Sequence, residues 1–146
     1  MDQHTFEKRA ISSKKYTYLQ YSVASSLPKT SFFSISNTQE VRELFPNGAS
    51  ELHSHQFYSI FWFHSGEGTH IVDFDEYNIE KDSIFFLSPK HLHTFRNLKD
   101  NNGIAIAFTE DFFLTSSLRH PKILIKEFSY FLMPCHQHGL RINLLV

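Results

Sequence analysis

Apolar and polar residues alternate along much of this 146-residue chain, and turn residues interrupt the alternation at short intervals. The longest run, residues 52–64, predicts a central strand because both of its faces carry apolar side chains. Ser65-Gly-Glu-Gly68 predicts a tight hairpin after it, from which residues 69–74 return antiparallel. Short strands separated by frequent turns are typical of an antiparallel sandwich or barrel. The further predicted strands are residues 32–36, 77–79, 84–87 and 104–108, with turns at 75–76, 80–82 and 98–103.

The two ends of the chain have a different pattern. Residues 1–31 are rich in Ser, Lys and Thr, and their one alternating patch, residues 16–23, predicts an arm or an edge strand. Residues 37–48 predict a connection that closes in a Pro-Asn-Gly turn. Thr109 is the predicted N-cap of a helix that reaches about residue 118. The other predicted elements are a second helix between Pro121 and Pro134 and a last strand at residues 140–146.

These elements divide the chain into three parts. Residues 1–31 are the arm or edge strand, residues 32–108 form the predicted barrel, and residues 109–146 supply outer helices and a final strand. The change at residue 109 is indicated by Thr109 as an N-cap, followed by Glu110 and Asp111, whose negative charge suits the first turn of a helix.

Histidines stand at strand spacing in two places. His53 and His55 are two residues apart and therefore share one face of a strand, which Ser59 joins four residues further on. His91 and His93 share a face in the same way. If the two strands lie opposite each other, the imidazoles of His53, His55 and His93 converge. Because like charges in a partly desolvated space disfavour each other, we expect these rings to be neutral at pH 7.

The residues around these histidines resemble the two motifs of the cupin superfamily. The first motif is matched by Gly48, His53, His55 and Gly66, with Ser59 in the place of its glutamate. The second motif is matched in part, by Pro89, His93 and Asn97. The stretches HSHQFYSIFWFHSGEGTH, FFLSPKHLHTF and AIAFTEDFF, in this order, resemble the amino-terminal effector domain of AraC-type bacterial transcription regulators over about residues 32–146.

This resemblance implies a mainly β fold, a cupin-type antiparallel β-barrel of jelly-roll form with two or so helices packed outside it. It also implies a small-molecule effector and a homodimer, with apolar surface of residues 124–133 at the interface. Effector binding would change how a following DNA-binding domain is presented, without catalysis. The paired helix-turn-helix units of the family are absent from this sequence, so we expect the chain to stop before them. The residues expected to bind the effector are His53, His55, Phe57, Ser59, His93 and Phe95.

Two other functions suit the same residues. A metal-dependent cupin enzyme, such as a dioxygenase or an isomerase, would use His53, His55 and His93 as ligands for Zn, Fe, Mn or Ni. Ser59 supplies no negative charge, so we expect no cofactor, and any metal to be weakly held and inessential to folding. The third function is that of a structural dimerisation module with a closed core, which the volume of the pocket distinguishes from an effector domain. Sugars, aromatic acids and amino acids all suit such a pocket.

The composition is typical of a globular protein with an aromatic core and argues against a nucleic-acid-binding domain. The 14 Lys and Arg residues nearly balance the 15 Asp and Glu residues, which argues against DNA binding by this chain itself. The 16 phenylalanines indicate an interior filled with aromatic rings. The single cysteine, Cys135, suits a reducing cytosol, and its neighbours His136 and His138 are interpreted as loop surface rather than a metal site. No apolar stretch approaches the length of a membrane helix, so we expect a soluble cytoplasmic protein.

Overall fold

A computed structural model describes residues 6–12, 17–23, 32–44, 51–115 and 141–145. These ranges contain nine strands and two short helices. In chain order the elements are β1 (Phe6–Ser12), β2 (Thr17–Val23), β3 (Phe33–Asn37), α1 (Thr38–Leu44), β4 (His53–His55), β5 (Tyr58–Val72), β6 (Asp75–Ile79), β7 (Ser83–Leu87), β8 (His93–Phe108), α2 (Glu110–Thr115) and β9 (Arg141–Leu145). The predicted helix between Pro121 and Pro134 and the group at Cys135 lie outside these residues. Within them, no helix has the length and apolar character that crossing a membrane would require.

All nine strands belong to one sheet, so the expectation of a mainly β fold is confirmed. The strands follow the order β1-β2-β4-β8-β5-β7-β9, while β3 pairs with β8 and β6 pairs with β5. β5 and β8 form the centre of this sheet, because they pair antiparallel from Tyr58 opposite Phe108 to Val72 opposite His93. Strands on both sides of this pair therefore place their inward side chains against the same central surface.

The predicted hairpin at residues 65–68 is wrong, because β5 continues through it. Its pairing with β8 shifts register between Phe63 and Thr69 instead of reversing direction. Gly66 has a φ of 108°, and a Cβ added there would lie 2.5 Å from the Cα of Asn101. The glycine therefore permits a bulged segment to pack closely on β8. The chain reverses later, at Asp73 and Phe74, whose φ angles are 48° and 78°, so the turn predicted at residues 75–76 is also misplaced.

Two further boundaries differ from the prediction. Residues 52–64 are not one strand, since β4 ends at His55 and β5 begins at Tyr58. In the break between these two strands, the Gln56 N–H donates a hydrogen bond to the carbonyl of Tyr21 on β2. The turn predicted at residues 98–103 is instead part of β8. Asn97 and Asp100 have φ angles of 53° and 48° there, so the polar residues mark irregularities within one long strand.

The amino-terminal part contains more structure than its composition indicates. The alternating patch at residues 16–23 is confirmed as β2, but β1, which pairs antiparallel with it, was not predicted. β2 also pairs parallel with β4, which places Tyr21 opposite His55. Where a connection was predicted after residue 37, α1 is found. Asn37 and Glu40 cap it reciprocally, with Glu40 N–H donating to Asn37 Oδ1 at 2.7 Å and Asn37 N–H donating to Glu40 Oε2 at 3.3 Å.

Of the three elements predicted after the central strands, the first helix and the last strand lie within the described residues. α2 begins after Thr109, but the Thr109 hydroxyl accepts from the Phe32 N–H at 3.1 Å and thereby ties the helix entry to the start of β3. The helix turn itself is closed by the Phe112 N–H, which donates to the Thr109 carbonyl. The last predicted strand is confirmed as β9, which pairs parallel with β7.

An aromatic core fills the inner face of the sheet and supports the site. Phe63 and Phe85 are almost fully buried, and burial of each side chain contributes roughly 2 to 3 kcal/mol to folding. The outer face remains partly apolar, since Trp62 is 39% exposed. The inner cluster consists of Phe61, Phe63, Val72, Ile79, Phe85, Leu87, Phe95 and Ala105.

Candidate functional site

Three imidazoles meet where β4 pairs with the start of β8. His53 lies directly opposite His93 in the register of the two strands, and their ring centroids are 4.1 Å apart. His55 follows on the same face, with its centroid 4.8 Å from that of His93. One ring nitrogen of each residue lies within 4.8 Å of the other two. The predicted convergence of His53, His55 and His93 is therefore confirmed, whereas their role stays a prediction.

Hydrogen bonds fix the orientation of two of these rings. His53 Nδ1 lies 2.9 Å from the carbonyl oxygen of Glu51. A carbonyl only accepts, so His53 carries its proton on Nδ1 and leaves Nε2 with a lone pair. His55 Nδ1 lies 2.9 Å from the hydroxyl of Ser59. Ser59, which stands where the cupin motif has a glutamate, therefore orients the His55 ring through this hydrogen bond.

The interior of the protein keeps these imidazoles uncharged. Burial lowers the pKa of His53 to about 4, although the hydrogen bond to Glu51 acts in the opposite direction. Burial lowers the pKa of His55 and that of His93 well below the usual range, and neighbouring imidazoles lower both further. The direction of these shifts agrees with the expectation that the three rings are neutral at pH 7.

A fourth histidine, His70, belongs to the same group and was not predicted. It lies on β5, is fully buried, and places its Nε2 3.1 Å from Nδ1 of His93. Burial lowers its pKa well below the usual range. The register shifts between Phe63 and Thr69 change which residues of β5 face inward, so simple alternation from Ser59 does not reach His70. The sequence contains no pattern that shows how many register shifts occur in this segment.

His91 is separated from the group by the start of β8. Its Nδ1 contacts the carboxylate of Asp73, and the same carboxylate accepts a hydrogen bond from the Leu92 N–H at 2.9 Å. The expectation that His91 and His93 share one strand face is wrong, because β8 begins only at His93.

A cavity of about 70 Å³ lies next to the histidines. Five of the six residues predicted to bind an effector line it, while the sixth, His93, lies behind them in contact with His53 and His55. The ring of Phe57 stacks on that of His55 with centroids 4.6 Å apart. The full lining is Tyr21, Thr38, Val41, Arg42, His53, His55, Phe57, Ser59, Phe61, Phe63, Phe95, Leu98, Asn101, Ala105, Ile106 and Ala107.

Polar residues that the sequence did not indicate line another part of the cavity. Thr38 and Arg42 come from α1, and Asn101 comes from the irregular part of β8. The Thr38 hydroxyl is buried and has no hydrogen-bond partner among the described residues. These residues were missed because the sequence predicted a connection in place of α1 and a turn in place of this part of β8. The cavity thus combines aromatic walls with polar groups from separate elements.

The family model described as AraC-like ligand binding domain matches residues 42–115, just over half of the chain. The chain belongs to the family of AraC-like ligand-binding domains. None of the curated proteins matches it. Among solved structures it is similar to a cupin protein from Bacteroides fragilis, with 16% identity and a TM-score of 0.36 over 63% of this chain and 72% of that chain.

The histidine cluster of this AraC-like ligand-binding domain also fits a metal ion. Three neutral imidazoles from rigid strands can bind Zn, Fe, Mn or Ni and leave further positions open. His93 Nε2 is buried and has no hydrogen-bond partner among the described residues. Such a metal would be held by His53, His55 and His93, with Glu51, Ser59 and His70 engaging their other nitrogens. A bound metal would supply Lewis acidity, and no carboxylate belongs to this group of ligands.

Proposed function

We propose that this domain binds a small-molecule effector in the cavity beside His53 and His55, and that it does so as part of an AraC-type transcription regulator. The observation that carries the proposal is the combination of aromatic walls with two neutral imidazoles and the Ser59 hydroxyl in one cavity. With its Nδ1 proton bonded to the Glu51 carbonyl, His53 offers an acceptor at Nε2, and the Ser59 hydroxyl can donate when it accepts from His55, which suits hydroxyl or carboxyl groups of a ligand. The family match to residues 42–115 supports the same function.

The size of the cavity limits what the effector buries. A cavity of about 150 Å³ holds benzene, and the volume here is about 70 Å³. The cavity is therefore too small to enclose a whole effector, and it would hold the buried end of a larger one that extends past Arg42 towards solvent. A closed structural core would have no such cavity, so the cavity supports the effector function over a purely structural module.

The proposed mechanism is a shift in population rather than catalysis. An effector that prefers one arrangement of the domain stabilises that arrangement and alters the presentation of a DNA-binding part. We propose that DNA contact is made by another part of the regulator, that the domain works as a homodimer in the bacterial cytoplasm, and that residues 124–133 contribute to the dimer. Sedimentation of the chain at tens of micromolar checks the dimer, which a purely monomeric profile would contradict.

A second candidate is a metal-dependent cupin enzyme, favoured by the way in which Nδ1 of each of His53, His55 and His93 faces a hydrogen-bond partner. This arrangement leaves the Nε2 atoms for a metal. The three histidines would bind the metal, and the cavity would hold the substrate beside it. Stoichiometric metal that survives dialysis against a chelator would favour this candidate over the effector domain.

Equilibrium dialysis tests the effector function directly. The intact chain is dialysed against the small-molecule fraction of a bacterial extract, and retained compounds are identified by mass spectrometry. Ala107→Leu serves as the control variant, because Ala107 lines the cavity and a larger side chain fills it. We expect the wild-type chain to retain a compound that the folded variant does not. Identical retention by both proteins, or retention of no compound by the wild type, would contradict the proposal.

A further inference from the structure

His70 and His93 form a buried pair at the centre of the sheet. His70 is on β5 and His93 is on β8, and both side chains are fully buried. The 3.1 Å between His70 Nε2 and His93 Nδ1 is a hydrogen-bond distance. A neutral imidazole has one N–H and one lone pair, so one of these two nitrogens carries the shared proton and the other accepts it. The pair therefore has two possible tautomeric arrangements.

The position of that proton decides what His93 presents to the cluster. If His93 Nδ1 carries the proton, His93 Nε2 has a lone pair; if His70 Nε2 carries it, His93 Nε2 is an N–H. Neither His93 Nε2 nor His70 Nδ1 has a hydrogen-bond partner among the described residues. Both nitrogens belong to buried rings, and hydrogen bonds within the described part of the chain satisfy neither of them.

The other two histidines of the cluster show which arrangement is consistent. The carbonyl of Glu51 fixes a lone pair on His53 Nε2. The Ser59 hydroxyl can accept from His55 Nδ1, which gives His55 the same tautomer. Ring nitrogens of His53, His55 and His93 lie within 4.8 Å of one another. A cation bound by all three rings would need a lone pair on His93 Nε2 as well, which is the arrangement with the proton on His93 Nδ1.

We propose that His70 is a positioning residue that holds the proton on His93 Nδ1, so that His93 Nε2 joins His53 and His55 in binding a divalent transition metal such as Zn²⁺. Metal-binding histidines usually donate their second N–H to a carboxylate or a carbonyl, and here an imidazole takes that place. This inference goes beyond the effector function, which does not depend on it.

The surroundings of His70 make it a rigid acceptor. Its ring stacks on Phe95 with centroids 4.3 Å apart and an interplanar angle of 26°. Phe85 packs edge-on against it at 4.6 Å and 81°. These rings confine the imidazole, so Nε2 stays directed at His93. A residue that merely filled the core would need no nitrogen at this position.

Zinc titration of the intact chain, in competition with a chelating dye, tests the proposal. His70→Phe keeps a ring in the aromatic site but removes the acceptor, while His70→Gln retains an acceptor in its amide oxygen. We expect His70→Phe to weaken Zn²⁺ binding by about ten- to a hundredfold, and His70→Gln to remain within about threefold of the wild type. Equal affinity of wild type and His70→Phe, or an equal loss in both folded variants, would overturn the proposal.

A measurement on the wild type decides the matter even if His70→Phe does not fold. Long-range ¹H–¹⁵N NMR spectra of the histidine side chains report which ring nitrogen carries the proton. We expect His93 to be protonated on Nδ1 and its Nε2 resonance to shift when Zn²⁺ is added. Protonation of His93 on Nε2, or no binding of Zn²⁺ by the wild type, would overturn the proposal. Retention of a small molecule in equilibrium dialysis is a separate result, so the effector function stands or falls independently.

Discussion

The hydroxyl of Ser59 lies 2.9 Å from Nδ1 of His55 and holds this imidazole at the edge of the cavity. Ser59→Ala removes the partner of a nitrogen in the interior, and an unsatisfied buried group costs about 1 to 3 kcal/mol. We expect Ser59→Ala to lower the free energy of unfolding by this amount in urea denaturation. Ser65→Ala is the matched control, because its hydroxyl is exposed. Equal effects of the two substitutions would show that the hydrogen bond does not position His55.

Gly103 allows β8 to approach β5 closely. A Cβ added at Gly103 would lie 2.1 Å from the carbonyl oxygen of Trp62 and 3.0 Å from the Cα of Phe63. Both neighbours are backbone in the central strand pair, so the strain has no flexible side chain to relieve it. We expect Gly103→Ala to destabilise the protein by about 3 kcal/mol, measured by denaturant unfolding. Asn102→Ala, at an exposed neighbouring position, is the control, and an equally small loss in both variants would contradict the close approach.

The sequence predicted the histidine cluster because two-residue spacing is a local property of a strand. His53 and His55 share a face wherever their strand lies, and the cupin-like motifs supplied the opposing position of His93. The same reasoning did not reach His70, because register shifts between Phe63 and Thr69 change the inward-facing set without a distinctive residue to mark each shift. The pairing register after several shifts depends on both β5 and β8, whereas side-chain alternation is a property of one strand alone.

Glycine and polar residues were the other source of error. Gly66 was interpreted as a hairpin residue, yet its freedom serves close packing against Asn101. The polar residues around Asp100 were interpreted as a turn, yet they lie within β8. Both residue types permit a positive φ, which occurs in turns and in bulges alike. Long-range pairing decides between the two, so a local pattern could not place Asn101 on the cavity wall. Thr38 was missed because the sequence predicted a connection in place of α1.

Acidification should destabilise the folded domain. The pKa of His53 is about 4 in the folded protein, whereas an unfolded histidine has a pKa of about 6.5. Between these values the unfolded state binds more protons, so stability is complete above about pH 6.5 and is lost as the pH falls towards 4. From His53 alone we expect a loss of about 2 kcal/mol between pH 7 and pH 5.

Urea unfolding at a series of pH values measures this dependence. The lowered pKa values of His55, His70 and His93 act in the same direction, so the total loss should exceed the contribution of His53. His53→Gln removes one titrating group and should reduce the slope of stability against pH. A stability that is constant from pH 7 to pH 5 would contradict the buried, neutral cluster.

Removal of metal should leave the fold intact. The sheet around the histidines is held by β4, β5 and β8 pairing and by the aromatic core, and the cluster contains no carboxylate ligand. We therefore expect dialysis against a chelator to remove any metal and to change the melting temperature by only a few degrees. Differential scanning calorimetry before and after dialysis measures the change, and reloading with Zn²⁺ is the control. Unfolding on dialysis would show that a metal is required for structure.

Binding of the effector beside His53 and His55 is tested most directly by the NMR signals of the histidine side chains. Spectra of the intact chain are recorded with and without the small-molecule fraction of a bacterial extract. We predict that the imidazole resonances of His53 and His55 shift, while those of His64, which packs on Trp62, and of His91, which contacts Asp73, stay in place. Unchanged resonances for His53 and His55, or equal shifts for His64 and His91, would contradict the account.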